Sequence, residues 1–378
     1  MQLSFRPHWR TVLTSVMGVA VLALALTACS GGNGSSGPTG PAGAAKGCKK
    51  IGFLLPESDT SARWESKDHP LVVQAIQKYL PGATVDVVNA NGSQDAQDSQ
   101  AEADLTKGDC ILVVAPHDSQ AASVIVDKAA AQHVPVIAYD RLIQNKNLQY
   151  YVSFDNVQVG KLQGQYIADH YQQYVTPGHN NMVMIDGSQD DNNAVLFRQG
   201  AHSVLDPLVT AGTLKNVYET YTPGWVNDTA QQEMDAALTK QHNDVQIAYV
   251  ANDGMAGTVI AALKSQGLAG KVLVTGQDAT VAGIQNILLG NQSMTVYKAI
   301  TKEADATGQL VAALSNGTST SSLTNGQTAT KDGGNIPSVL ETPVAVDKTN
   351  IASTVLADGF VTKADICQGV PAGTDGIC

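Results

Sequence analysis

The sequence predicts an α/β protein made of two similar domains, each with a parallel sheet covered by helices on both faces. Three observations predict it. The body, from about residue 48 to 378, is too long for one ordinary domain and suits two. Within it, short apolar runs alternate with longer amphipathic ones, and that alternation demands parallel strands with right-handed helical crossovers. The rhythm restarts near Asn181, giving two runs of about five strand–helix units.

In chain order, the first set of strands is expected at Lys50–Leu55, Thr84–Val88, Cys110–Ala115, Pro135–Tyr139 and Tyr150–Phe154. Helices are expected between them, including Gln94–Lys107 and Gln120–Gln132. Before those, Val73, Ile76 and Leu80 share one helical face. Pro70 means that the helix begins near it or that an earlier turn is kinked. The second set of strands is expected at Asn181–Ile185, Lys215–Tyr221, Val245–Val250, Lys271–Thr275 and Met294–Tyr297.

Ahead of the body lies a processing signal. Arg6, His8 and Arg10 precede an apolar run from Val12 to Leu26, which ends in small residues before Cys29. Residues 1–28 are therefore expected to be a signal peptide rather than a membrane span. Leu26-Thr27-Ala28-Cys29 resembles the bacterial lipobox, in which the cysteine is lipidated and becomes the new N-terminus. Ser30 to Gly47 contains seven glycines and one charge, so residues 29–47 read as a lipidated cysteine and a flexible tether. A lipid, a tether and a folded body describe a protein held at the outer face of a membrane by its N-terminal lipid alone.

Composition excludes some functions. A formal charge of −11 argues against nucleic acid as a partner, because phosphate binding needs a basic surface. With Cys29 assigned to the lipobox, four cysteines remain, as expected in an oxidising compartment. Cys48 precedes one apolar run and Cys110 another; if those runs are adjacent parallel strands, the two can pair, leaving Cys367 with Cys378. Four cysteines allow three pairings, and a thiol count on the intact protein tests the expectation of two disulfides. The chain has no Cys-x-x-Cys and no two histidines three or four residues apart, so no metal site and no cofactor are expected.

In open parallel sheets, ligands bind at the C-terminal strand edges. The residues directly after the apolar runs here are unusually polar: Arg63, Trp64, Lys67 and Asp68; Asp140 and Arg141; Gly187 through Asn193; Trp225; Asn252 and Asp253; Gln277 and Asp278; Lys298. Carboxylates, amides and cations together suit a polyol, whose hydroxyls both donate and accept. An aromatic face such as Trp225 complements the C–H face of a pyranose. Taken singly, Asp191 and Asn252 read equally well as helix N-caps, Trp225 as packed core, and Arg141 and Lys298 as surface charges.

The strings Tyr139-Asp140-Arg141, Tyr151-Val152-Ser153-Phe154-Asp155-Asn156, Asp191-Asn192-Asn193-Ala194 with Leu196-Phe197-Arg198, Ala251-Asn252-Asp253, Gly276-Gln277-Asp278 and Met294-Thr295-Val296-Tyr297-Lys298 resemble the D-xylose-binding periplasmic proteins, within the ribose- and galactose-binding group that feeds ABC importers. The resemblance runs in order from about Lys50 to about Phe360. It implies a type I bilobed fold: two doubly wound parallel-sheet lobes joined by three hinge crossovers, near Phe154–Asn156, Thr295–Lys298 and Leu340–Val344. The implied N-terminal lobe spans 48–154 plus 298–341 and the C-terminal lobe 155–297 plus 342–365; the tail 366–378, expected to close on a disulfide, and both cysteine pairs are additional to the family pattern. The implied ligand contacts are Arg63, Arg141, Asp191, Asn193, Trp225, Asn252, Asp278 and Lys298, with Trp64, Asp140 and His117 as further candidates. Trp225 would stack on the ring, Asp191 and Asp278 would accept from hydroxyls, and Arg63, Arg141 and Lys298 would donate. The implied partners are a monosaccharide, xylose or a similar sugar, and an ABC permease with its ATPase, served by a monomer. The loop Pro56 to Ala62, His117-Asp118 and Ala299 depart from the family pattern and bear on which sugar is bound.

An enzyme is not expected: the body from residue 48 onward has no Gly-x-Ser-x-Gly, His-Glu-x-x-His, Walker loop or Gly-x-Gly-x-x-Gly. Asp191 and Asp278 alone would have to serve a glycosidase, which chromogenic xylosides would reveal. A transcription regulator sharing the sugar-binding core would need an N-terminal helix-turn-helix where the signal segment stands. A sensor presenting its sugar to a membrane receptor shares the fold, and neighbouring permease genes separate it from a transport receptor.

Overall fold

The structure, a computed structural model, describes residues 45–378, which lie in one compact unit. The signal segment, Cys29 and the tether up to residue 44 lie outside the described residues. The strands are β1 (Lys50–Leu55), β2 (Thr84–Asn89), β3 (Ile111–Val114), β4 (Val136–Tyr139), β5 (Tyr150–Phe154), β6 (Asn181–Asp186), β7 (Lys215–Tyr221), β8 (Ile247–Val250), β9 (Leu273–Val274), β10 (Thr295–Tyr297), β11 (Gly326–Ala329), β12 (Asn335–Glu341) and β13 (Val344–Val346). A seven-stranded sheet runs β11-β12-β5-β4-β3-β1-β2 and a four-stranded sheet β7-β6-β8-β9. Within both sheets every pairing is parallel except β11 with β12. The fold is thus the two-sheet α/β architecture the alternation predicts.

Strands β3, β4, β6 and β8 are buried at every position. A parallel strand covered on both faces has no solvent side, and so it reads as a continuous apolar run. Alternate residues of β1 feed two cores: Ile51, Phe53 and Leu55 pack on one face, and Leu54 joins Leu112 and Val114 on the other. The second sheet has its own core around Met184, Ile185, Phe197, Met234 and Val250. The segment after β13 forms a further cluster with Tyr297, Ile351 and Phe360.

The α-helices of eight or more residues among the described residues are α1 (His69–Tyr79), α2 (Gln94–Lys107), α3 (Ser123–Ala131), α4 (Asn156–His170), α5 (Asn192–Thr210), α6 (Asn227–Lys240), α7 (Asp253–Ser265), α8 (Val281–Leu288) and α9 (Ile300–Asn316). Pro70 sits in the first turn of α1, where its missing N–H costs nothing. Ile76 and Leu80 of the expected stripe are buried, together with Val72 and Ala75, while Val73 is half-buried. Helices α4 and α5 cross on glycines. A Cβ on Gly160 would lie 1.8 Å from the Phe197 carbonyl oxygen, and one on Gly200 would lie 2.0 Å from that of Val157. Only glycine lets the two backbones meet, and their contact fixes where the start of α5 faces the cleft.

Two features differ from the expectation. Met294–Tyr297 does not extend the second sheet as a regular fifth strand; β10 pairs antiparallel with β13 in a separate ribbon. The two-residue β9 gives way to an irregular loop, and this loop receives the β10 backbone instead: Asp278 N donates to Val296 O and Val296 N to Gly276 O. Strands β11 and β12 were not anticipated. Strand β12 joins β5 only after the chain has returned from the second sheet, so no local pattern marks it. The cysteines pair Cys48–Cys110 and Cys367–Cys378. The first bond joins Cys48, two residues before β1, to Cys110, one residue before β3, and these are adjacent parallel strands.

Candidate functional site

The C-terminal edges of the two sheets face one another across a nearly filled cavity with about 30 Å³ of free volume. That is far below the ~300–1,000 Å³ usual for small-molecule sites, so a sugar-sized ligand fits only where the walls part. Arg63, Arg141, Asp191, Asn193, Trp225, Asn252, Asp278 and Lys298 all line it, as do Trp64 and Asp140. Thr60, Ser61, Phe197 and Gln277 complete the lining.

His117 does not reach the cavity. After β3 the side chains of Gln97 and Gln94 accept from the backbone N–H groups of His117 and Asp118, which ties this turn down toward α2. Arg141 reaches over the same turn to donate to the Pro116 carbonyl. The cavity edge that His117 was expected to occupy is filled by Arg141.

The wall built on the seven-stranded sheet is a network of charges. Arg63 donates to Asp68 through Nε (2.9 Å) and Nη2 (2.6 Å), and to Asp140 Oδ2 through Nη1 at 3.1 Å. Its Nη2 also lies 3.5 Å from Glu303. Lys298, just past β10, donates to the same Asp140 oxygen at 3.1 Å and lies 3.8 Å from Asp278. Trp64 presents its ring to the guanidinium groups of both Arg63 and Arg141, at 4.7 and 5.2 Å. Burial alone would raise the Asp140 carboxyl, yet Arg63, Lys298 and Arg141 outweigh it and hold Asp140 well below the usual carboxylate range. Glu303 goes the other way: burial first, then Asp140, pushes it well above that range.

The wall built on the four-stranded sheet is made of helix starts. Asp191 caps α5, its Oδ1 accepting from Asn193 N at 2.8 Å, while its Oδ2 accepts from Trp225 Nε1 at 3.2 Å and forms an ion pair with Arg141 Nε at 2.8 Å. Asn252 caps α7 through its carbonyl oxygen, accepting from Met255 N. Both residues are therefore N-caps and cavity residues at once, because a cap at the C-terminal edge of a parallel sheet points its free side into the crevice. The Trp225 ring packs against Gly187, where a Cβ would fall 2.1 Å from it, and meets Phe197 edge-on at 6.4 Å.

Asp140, Trp225 and Asp278 all have left-handed backbone, with φ of 57°, 59° and 102°. Such strain in non-glycine residues persists only where the surroundings over-determine it, and it concentrates at functional sites. Behind the Asp278 loop sits Asp253, whose carboxylate accepts from Thr280, Gln292 and Thr295. Trp64 Nε1, Gln277 Oε1 and Asp278 Oδ1 are buried without a hydrogen-bond partner among the described residues. These orphaned groups are what a polar ligand would engage. Among the described residues no cluster of three or more histidines, cysteines or carboxylates is arranged to hold a metal.

Two separate sheets meeting at a closed polar cavity define a class of protein, the bilobed extracytoplasmic binding proteins. Residues 51–319 match the periplasmic binding protein domain, and the chain belongs to that family, in its D-xylose-binding group. It is 42% identical over 80% of its length to the D-xylose-binding periplasmic protein of Haemophilus influenzae, covering 88% of that protein. Identity to the protein of the same name from Escherichia coli is 39%, over 84% of this chain and 92% of that one. The crystal structure of an ABC transporter solute-binding protein from Clostridium phytofermentans with bound β-D-glucose superposes with a TM-score of 0.76. It is 30% identical and is matched over its full length by 84% of this chain. These relatives are solute-binding proteins, and this chain is a binding protein and not an enzyme. No described helix is long and apolar enough to cross a membrane.

Proposed function

We propose that this protein captures a neutral monosaccharide, D-xylose first among the candidates, between its two lobes and delivers it to an ABC permease. The observation that supports this reading most is the charge balance of the cavity. Arg63, Arg141 and Lys298 face Asp140, Asp191 and Asp278, three cations against three carboxylates. A sugar acid or sugar phosphate would leave that set unbalanced in a buried space, whereas a neutral polyol finds donors and acceptors already neutralised by one another. The polar lining and the Trp225 face suit one pyranose ring, admitted as the walls part. In this reading Arg63, Arg141, Lys298, Asn193 and Asn252 donate, Asp191 and Asp278 accept, and Trp225 stacks. The lobes 48–154 plus 298–341 and 155–297 plus 342–365 close about the three crossovers. The names of the relatives support xylose and, in the glucose-bound structure, leave room for a hexose. Cys29 is the proposed lipid anchor, which mass spectrometry of the mature N-terminal peptide tests directly.

Calorimetry of the tether-free body with xylose, ribose, arabinose, glucose and galactose tests the ligand, with Trp225→Ala as control. A saturable response to xylose that the substitution abolishes is the expected result. No response to any of the five sugars would overturn the reading.

A further inference from the structure

Between the cavity residues Asp191 and Asn193 stands Asn192, which does not line the cavity at all. It faces a seam where the two lobes touch directly. The Asn192 backbone N–H, an unsatisfied donor at the start of α5, donates to Ser119 Oγ at 3.0 Å. Gln144 Nε2 donates to Asn192 Oδ1 at 2.9 Å, and Ser119 N donates to the Asp190 carbonyl at 2.9 Å. Ser119 and Gln144 follow β3 and β4 of the first sheet; Asp190 and Asn192 follow β6 of the second.

The first-lobe half of this seam is held ready from its own side. The Gln144 side-chain carbonyl accepts from Lys331 N at 2.8 Å, which aims its amide at Asn192. The Gln144 backbone N–H donates to the Ser119 carbonyl at 2.8 Å, joining the two seam residues. Ser119 and Gln144 are 4% and 5% exposed, so solvent competes weakly for these bonds. On the opposite flank of the cleft the interlobe contact is thinner: Asn227 Nδ2 lies 3.4 Å from the Thr60 carbonyl.

We infer that Ser119, Gln144 and Asn192 form a latch that sets the lifetime of the closed form without touching the ligand. Hinged opening separates the edges of the two sheets, so the three seam bonds exist only when the lobes are shut. Groups that bond only in the closed state bias the opening equilibrium and slow ligand escape. Pre-aiming by Lys331 spares the latch most of the entropic cost of ordering Gln144. Because the latch does not touch the sugar, it scales the affinity for every sugar equally and leaves preference to the cavity residues.

The kinetic test rests on the sugar-binding reading. Gln144→Ala and Ser119→Ala are compared with wild type by stopped-flow binding of xylose and of the next-best sugar. Each variant is expected to release both sugars about three- to ten-fold faster, with association within two-fold of wild type. The ratio between the two sugars stays as in wild type, as does the ligand-free melting temperature of Ser119→Ala; that of Gln144→Ala falls slightly, because the bond from Lys331 N is lost in the open form too. Unchanged release, a loss confined to one sugar, or an equal fall in ligand-free stability would overturn the latch. If wild type takes no sugar, the functional reading falls, and the latch is judged by oxidising a Ser119→Cys/Asn192→Cys variant without ligand. A cross-link then supports the seam, and none overturns it.

Discussion

The wall supplied by the seven-stranded sheet is a web of buried charges, whereas the wall supplied by the four-stranded sheet is a row of helix caps with one aromatic face. In the first, Arg63 depends on Asp68 and Asp140 and lies near Glu303, and Asp140 is shared with Lys298. No member can leave without stranding another. In the second, Asp191 and Asn252 each satisfy a local backbone donor of their own helix and then offer what remains to the cavity. The difference teaches that equal proximity to a ligand does not imply equal cost of change. The charged wall binds folding and function together; the capped wall keeps them separable.

The largest effect is expected from Arg63→Ala. Removing one partner of a buried ion network leaves uncompensated carboxylates, a loss of about 3–5 kcal/mol. Urea unfolding should show that loss together with abolished sugar binding. A change below about 1 kcal/mol would show that Asp68 and Asp140 do not rely on Arg63. Glu303→Gln sharpens the point within the same wall. Burial and Asp140 push Glu303 well above the usual carboxylate range and favour its neutral form. An amide of the same shape should then cost less than about 1 kcal/mol in the same unfolding measurement.

On the capped wall, Asn252 separates the two duties. Serine can still cap α7 by accepting from Met255 N, but it has no amide to present. Asn252→Ser should keep stability within about 0.5 kcal/mol while weakening sugar binding by about ten-fold. Asn252→Ala should weaken binding equally and lose a further ~1 kcal/mol of stability. Melting curves beside calorimetry check both, and equal stability losses in the two variants would break the distinction between the walls.

How much of this was legible in the sequence follows from how local each signal is. Strands Lys50–Leu55 and Lys215–Tyr221 and helix Gln94–Lys107 stand where their patterns put them. Lys50–Leu55 is an apolar run after its first residue, the edge strand Lys215–Tyr221 is marked by its β-branched and aromatic residues, and α2 is bounded by the Ser93 cap and by Gly108 in left-handed conformation. The polar residues after each strand were legible for the same reason, since the topology brings those edges together. Strands β11 and β12 were not, because their partner β5 is reached only through a long detour. Glu303 had no local mark either: it lies on α9, far along the chain from Arg63. Phe197 and Gln277 stand inside strings that were recognised, yet their burial in the lining depends on how α5 and the loop after β9 are turned. His117 misled because its turn follows a strand like the others, and only the side chains of α2 show that it is tied away.

Two buried aspartates restate the contrast between the walls, and they differ in sign with pH. Asp140 has three cations around it and is held below the carboxylate range; Asp253 has hydrogen-bond donors but no cation, and burial raises it to about 7. In the unfolded chain both titrate near ~3.9. Between about pH 4 and 7 native Asp253 therefore holds a proton that the unfolded chain has released, so its contribution to stability falls as pH rises through that window. Asp140 has the opposite sign, and its stabilising contribution is lost only as pH falls below about 4. Asp253→Asn should make the melting temperature less dependent on pH between 4.5 and 7.5. Its absolute value should drop modestly, because an amide cannot accept all the bonds that Thr280, Gln292 and Thr295 now donate. The slope should become shallower rather than vanish, since Asp186, also raised to about 7, and Asp109, raised to about 6, act with the same sign. An unchanged slope would mean that Asp253 is ionised throughout that range. The loop bearing Gln277 and Asp278 would then be anchored by a charge after all, and the two walls would be more alike than their partners suggest.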